Sequence, residues 1–340
     1  MKPTSIIYLI LSIILIATGY VGMETAKTVA ENEGTSLYSD VTDEDGNRIN
    51  TITYSSQDYD RVEINITKAT VHLCVGSEEK IVLKNYTEGS FTGSENGVSY
   101  VISDNMSAID MITSGTFNLS FKGLRHYWHD RDILNRDKEV YIYTTPYTDL
   151  NGIDVIVGEG DIYIEDYEAK FDVMAHSNAG SVTVKDSSAP AFNITGTRCQ
   201  VTASGVSTQS FHSTVSHGNI DIKDSDITSV IMLNIKESGN AALSLPRPES
   251  EYIITGEALR GVTINGKSFG SHYPMKDVPS DGNDTDGSDT QVNIPIFGTD
   301  TESTGTISVK ITAASGTATI TTNENAITTE GEVQTENEQQ

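Results

Sequence analysis

Gly160-Asp-Ile-Tyr-Ile164, Gly180-Ser-Val-Thr-Val184, Cys199-Gln-Val-Thr-Ala203, Gly218-Asn-Ile-Asp-Ile222 and Gly239-Asn-Ala-Ala-Leu243 are versions of one phrase. A glycine or turn is followed by alternating apolar residues, and the phrase returns about every twenty residues. A second position keeps the step, because Phe171, Phe192, Phe211 and Ile231 are 21, 19 and 20 residues apart. Val173, Ile194, Ser213 and Leu233 repeat with the same steps. Asp166, Asp186 and Asp224 stand just after the strand in three of the turns, and Gly205 takes that place in the remaining one.

Each unit reads as two short strands of period two, Ile162/Ile164 and then Phe171/Val173 in the first, separated by the polar turn Glu165-Asp-Tyr-Glu168. Such a unit cannot bury its apolar face alone, but stacking one on the next does. Equivalent residues then lie about 4.8 Å apart, so Ile162, Val182, Val201 and Ile220 are expected to form one internal ladder and the phenylalanines another. The expected fold is all-β, a β-solenoid with about 20 residues per turn. A sandwich of regular hairpins also gives short, evenly spaced strands, yet has no reason to repeat Phe and Asp in register.

Composition agrees with the class. After residue 25 no sustained helical stripe appears among the 340 residues. The 48 acidic against 22 basic residues give a formal charge of −26, which repels nucleic acid and anionic lipid and favours cations or basic partners.

The beginning bears on the compartment. Met1-Lys2-Pro3-Thr4 precedes an apolar stretch from Ser5 to Met23, with Glu24, Glu31 and Glu33 after it. Ile6 to Ile16 has the length of a signal h-region, and Ala17-Thr-Gly19 offers small residues at signal-peptidase spacing. The whole stretch also nearly reaches the ~20 residues of a spanning helix. Residues 1–24 therefore read as a signal peptide or a single-pass anchor, and both stay open. Either places the body outside the membrane, anchored on its extracellular face or secreted. No Cys follows the apolar run, so a lipobox is excluded. Cys74 and Cys199 sit on strand patterns and read as small packed residues, with a disulfide the alternative.

Residues 25–55 are polar and turn-rich, as befits a stalk. The β domain is expected over 56–322, with an irregular first part at 56–139, regular repeats at 140–265, an acidic insertion at 276–304 and closing strands at 305–322. The tail 323–340 is too poor in apolar residues to fold and is expected to be disordered.

A strand ending in proline (Tyr141-Ile-Tyr-Thr-Thr-Pro146), a second strand at Ile153 to Val157, the glycine phrases, and the late Gly305-Thr-Ile-Ser-Val-Lys-Ile311 and Ser315-Gly-Thr-Ala-Thr-Ile320 carry a resemblance. Over roughly Arg61 to Ile320 the chain resembles the bacterial "putative adhesin" family of domains of unknown function. The resemblance implies a β-solenoid at a bacterial surface, with an adhesive role and no catalytic residues to carry over. The acidic insertion departs from the family pattern.

Three constellations bear on chemistry. Stacked Asp166, Asp186 and Asp224 can hold calcium or act on a sugar chain, but Asp at a turn also accepts backbone N–H bonds and so marks a repeated corner. Lyase chemistry further wants a base and cations beside the carboxylates, and these turns offer only Lys185 and Lys223. In His126-Tyr-Trp-His129-Asp130 the H-x-x-H spacing alone makes no zinc site. Tyr127, Trp128 and His129 read instead as an aromatic ligand-binding loop for a sugar face or a protein, against the alternative that Trp128 folds into the cap. His212 and His217, near Ser213 and Ser216, read as outward residues of successive strands without a nucleophile elbow. Asp281, Asp284, Asp286 and Asp289 match no register of a calcium loop.

No catalytic residues, metal or cofactor are expected. The first reading is a non-catalytic, adhesin-like surface module for an envelope polysaccharide, another protein or a host surface. Its repetition presents side chains such as Tyr163, Thr183, Thr202 and Asp221 in an evenly spaced array. The alternative is a carbohydrate-active enzyme of β-helix type, a polysaccharide lyase or hydrolase.

Overall fold

The structure, a computed structural model, describes residues 42–86, 91–96, 98–104, 136–274 and 307–323. The apolar segment 1–24, the acidic insertion 276–304 and residues 324–340 of the tail lie outside the described residues.

The chain divides into two units, 1–49 and 50–340. In the first, the described residues make a turn in which the Asp43 carboxylate accepts the backbone N–H groups of Asp45 at 3.1 Å and Asn47 at 2.7 Å. Thr42 and Arg48 close it as an antiparallel bridge.

The second unit is all-β. Among its described residues there is no α-helix, only a 3-10 turn at Glu249–Glu251. Burial alternates along the strands, as a period of two requires when one face is packed. In Ile162–Glu165, for example, Ile162 and Ile164 are buried while Tyr163 and Glu165 face outward.

The strands stack in parallel ladders. On one side run Ser99–Ser103, Arg61–Lys68, Gly152–Glu159, the first part of Asp172–Lys185 and the first part of Ser188–Ser204. Ser207–His217, Asp226–Ser238, Ile307–Ala313 and Tyr252–Ala258 continue that side. The other side runs through Glu139–Thr144, Thr70–Val75, Ile162–Glu165 and the second parts of the two long strands. It continues through Ile220–Lys223, Ala241–Leu245, Ala318–Thr322 and Val262–Ile264. One strand from each side makes a tier.

The glycine phrase marks the corner between the two sides. Gly180 and Gly218 have φ of 152° and 139°, and a Cβ on either would run into the carbonyl oxygen of the tier before, Gly160 and Cys199 respectively. The second corner explains why Asp and Gly interchange. Asp166, Asp186, Gly205 and Asp224 have φ of 50°, 46°, 64° and 46°, a left-handed conformation that glycine adopts freely and Asp tolerates best among short polar residues.

The expected ladder Ile162, Val182, Val201, Ile220 is present, and it extends through Val71 to Val140 at one end and to Ala241, Ala318 and Val262 at the other. The phenylalanine ladder needs a correction. Phe192 and Phe211 are paired, but the partner of Phe192 is Val173, not Phe171, and the next row reads Ala175, Ile194, Ser213, Leu233. Ser188–Ser204 is one continuous strand, so the 19-residue offset that pairs Val182 with Val201 must also hold at Phe192. Phe171 is buried two residues ahead of the ladder, and Tyr167, read as part of a polar turn, is buried as well.

Order along the stack differs from order along the chain at both ends. Arg61–Val75 forms a tier against Gly152–Glu165, and the end tier outside it is made later, from Ser99–Ser103 and Glu139–Thr144. At the other end Tyr252–Ile264 forms the last tier. The final strands, Ile307–Ala313 and Ala318–Thr322, then insert between it and the tier of residues 226–245. Short antiparallel strands cover the outer edges: Lys80–Lys84 and Thr92–Asn96 at one end, Lys267–Ser268 and His272–Tyr273 at the other. An uncovered ladder edge is a template for aggregation, so end tiers need such protection.

Candidate functional surface

Outward residues of a parallel ladder line up one per tier, about 4.8 Å apart. On the second side one such row reads Tyr141, His72, Tyr163, Thr183, Thr202, Asp221, Ala242, Thr319, Thr263. Its start is aromatic. The His72 ring lies between Tyr141, at 4.7 Å between centroids and 10° between planes, and Tyr163, at 5.2 Å and 15°. Tyr143, in the neighbouring row, stacks on Tyr141 at 6.4 Å and lies under the Lys80 ammonium at 5.5 Å.

The electrostatics of this patch follow from partial burial. Burial holds the His72 imidazole below its ordinary pKa, so it is neutral at neutral pH, and it raises the Tyr141 phenol with help from Glu139. The Tyr141 hydroxyl donates to Glu139 at 2.7 Å, and the Lys84 ammonium lies 3.2 Å from the same carboxylate. Burial pushes the Glu139 carboxyl up, but those two partners outweigh it and hold the group below its usual range. His72, Tyr163, Thr183 and Thr202 make no side-chain hydrogen bond among the described residues. Asp221 is occupied by Lys223 at 2.7 Å.

On the first side several polar groups bond one another along or across the tiers. Arg61 pairs with Asp154 at 2.5 Å, and His176 reaches Thr195 at 2.7 Å and Asn178 at 2.9 Å. His217 meets Glu237 at 3.0 Å and Ser238 at 2.9 Å.

Tyr127, Trp128 and His129, the aromatic loop singled out in the sequence, lie outside the described residues, as do His126 and the acidic run from Asp281 to Asp289. Asp166, Asp186 and Asp224 do not form one continuous column, since Gly205 separates the last two. Lys185 stands 3.9 Å from Asp186 on an exposed edge. Among the described residues no group of three or more His, Cys, Asp or Glu side chains is placed to hold a metal. His212 and His217 lie on one strand, not on successive strands, and Ser213 faces the core while His212 faces out. Cys74 and Cys199 are both free thiols. Cys199 is buried at the corner position of Gly180, and burial pushes its thiol up to about 11.

The sequence pointed to Tyr163, Thr183, Thr202 and Asp221 as an array but missed Tyr141 and His72. Alternating patterns at Thr70-Val-His-Leu73 and Val140-Tyr-Ile-Tyr143 put them on outward faces. No repeat phrase links those strands to the regular tiers.

No family model matches the chain, and no curated protein matches it. Solved structures do. A protein titled a putative adhesin from Bacteroides fragilis is 11% identical with a TM-score of 0.37, over 81% of this chain and 97% of that one. A protein titled a putative cell adhesion protein from Clostridium sporogenes is 10% identical with a TM-score of 0.31, over 82% and 100%. A third, titled a putative lipid binding protein from Parabacteroides distasonis, is 8% identical with a TM-score of 0.31, over 83% and 99%.

Proposed function

We propose that this chain is a non-catalytic, adhesin-like binding module in which the stacked tiers wind as a β-solenoid. Residues 1–24 would export it or anchor it on the outer face of the membrane, with residues 25–55 as a stalk. The observation that carries the reading is the outward row from His72 to Thr202, which offers side chains in register at tier spacing with hydrogen-bonding groups not used among the described residues. An array of this kind suits a repetitive partner, because one tier's contact is repeated by the next. Tyr127, Trp128 and His129 are proposed as a second, aromatic contact.

The test offers the purified chain to a panel of envelope and plant polysaccharides and records retention on the polymer together with release of new chain ends. Retention without release is expected. Release of chain ends would overturn the non-catalytic reading in favour of a β-helix carbohydrate-active enzyme, and no retention on any polymer would exclude a polysaccharide as the ligand.

A further inference from the structure

The ring geometry narrows what the outward row can recognise. Tyr141, His72 and Tyr163 are stacked on one another nearly parallel, so both faces of His72 and one face of each tyrosine are taken within the ladder, and Tyr163 is followed in its row by Thr183. Their edges, with the Tyr163 hydroxyl and the His72 nitrogens, are what remains for a partner, and recognition there proceeds by hydrogen bonds rather than by ring stacking. Thr183 and Thr202 extend the same chemistry by one hydroxyl per tier. From His72 to Thr202 the row spans about 14 Å at the spacing of a parallel ladder.

Hydroxyls and a neutral imidazole both donate and accept. That inventory matches a ligand that does the same along its length, and it does not match an anion. The cation nearest the start of the row, Lys84, is engaged by Glu139, and the chain's net charge of −26 opposes polyanions. A protein partner would want a desolvated apolar anchor, which this row does not present. Resting on the binding-module reading above, we infer that the row His72, Tyr163, Thr183, Thr202 is a binding track for an uncharged, extended polysaccharide chain lying along the ladder axis.

The experiment immobilises the full chain and measures binding of size-graded neutral glucans, mannans and galactans, with a polyuronate as the anionic comparison, by surface plasmon resonance. Tyr163→Phe, Thr183→Val and Thr202→Val each remove one hydroxyl and keep the shape, singly and together. Asn193→Ala changes the outward row of the other side. A lost hydrogen bond is expected to weaken binding about fivefold for each hydroxyl, roughly a hundredfold for the three together. Affinity is expected to rise with oligosaccharide length until the track is filled, and Asn193→Ala to bind as the unchanged protein does. If neutral polymers bind equally well to the single variants and the unchanged protein, the track is wrong while the binding-module reading stands. Preference for the polyuronate overturns the ligand class, and binding of no polymer overturns both the track and a polysaccharide ligand.

Discussion

Deleting everything after residue 304 tests the order of the stack. The strands Ile307–Ala313 and Ala318–Thr322 are paired on both flanks, with residues 230–245 on one side and residues 252–264 on the other. Ile307, Val309, Ile311 and Ile320 are each no more than 1% exposed. At about 1.5–3 kcal/mol for each buried side chain of this size, the four represent roughly 6–12 kcal/mol of burial. A whole domain is typically stable by only about 5–15 kcal/mol. The loss cannot be absorbed where it falls, so the tier Tyr252–Ile264, left without its ladder, is expected to unfold. In a stack each tier contacts only its neighbours, so tiers far from the cut keep their stability. Hydrogen exchange read by mass spectrometry should therefore show residues 252–273 exchanging like an unfolded chain, residues 226–245 partly deprotected, and residues 61–75 and 152–185 unchanged. Continued protection of 252–273 would mean that this tier docks directly on 226–245 and that the inserted strands are dispensable. Loss of protection everywhere would refute nearest-neighbour stability.

The two corners should respond differently to substitution. Gly218→Ala forces a side chain into the Cys199 carbonyl at φ 139° and is expected to lower stability by at least the ~1–3 kcal/mol that a strained backbone costs. Gly205→Asn, at a left-handed position where neighbouring tiers carry Asp, places its Cβ against the Asp186 carboxylate, an exposed side-chain end that can turn away, and should stay within ~1 kcal/mol of wild type; equal effects in denaturant titrations would refute the distinction. Acidification should weaken the aromatic end. The His72 pKa is lower in the folded than in the unfolded chain, so the unfolded state binds protons more readily, and this group's contribution is full above about pH 6.5 and lost as pH falls through the folded value. His72→Phe, which keeps a ring in the stack, should reduce the fall in melting temperature between pH 7.5 and 5.5, and an unchanged fall would show that other groups cause it.

The sequence by itself determined the strands, their alternation and one core ladder, because period two and a repeated corner are local properties. A glycine or an Asp at a corner reports the φ its own residue must adopt, and Ile162, Val182, Val201 and Ile220 carry their burial in the phrase itself. Only the tertiary structure decided register and order. Phe171 and Val173 are both apolar and two residues apart, so either fits the ladder locally. The continuous strand Ser188–Ser204 ties the two sides together and forces the choice of Val173. The placement of Ile307–Thr322 between two earlier tiers, and of Tyr141 beside His72, depends on pairing between segments far apart in the chain. No periodic signal spans those distances, and the pairing is selected by burial of complementary faces once the neighbouring tiers exist.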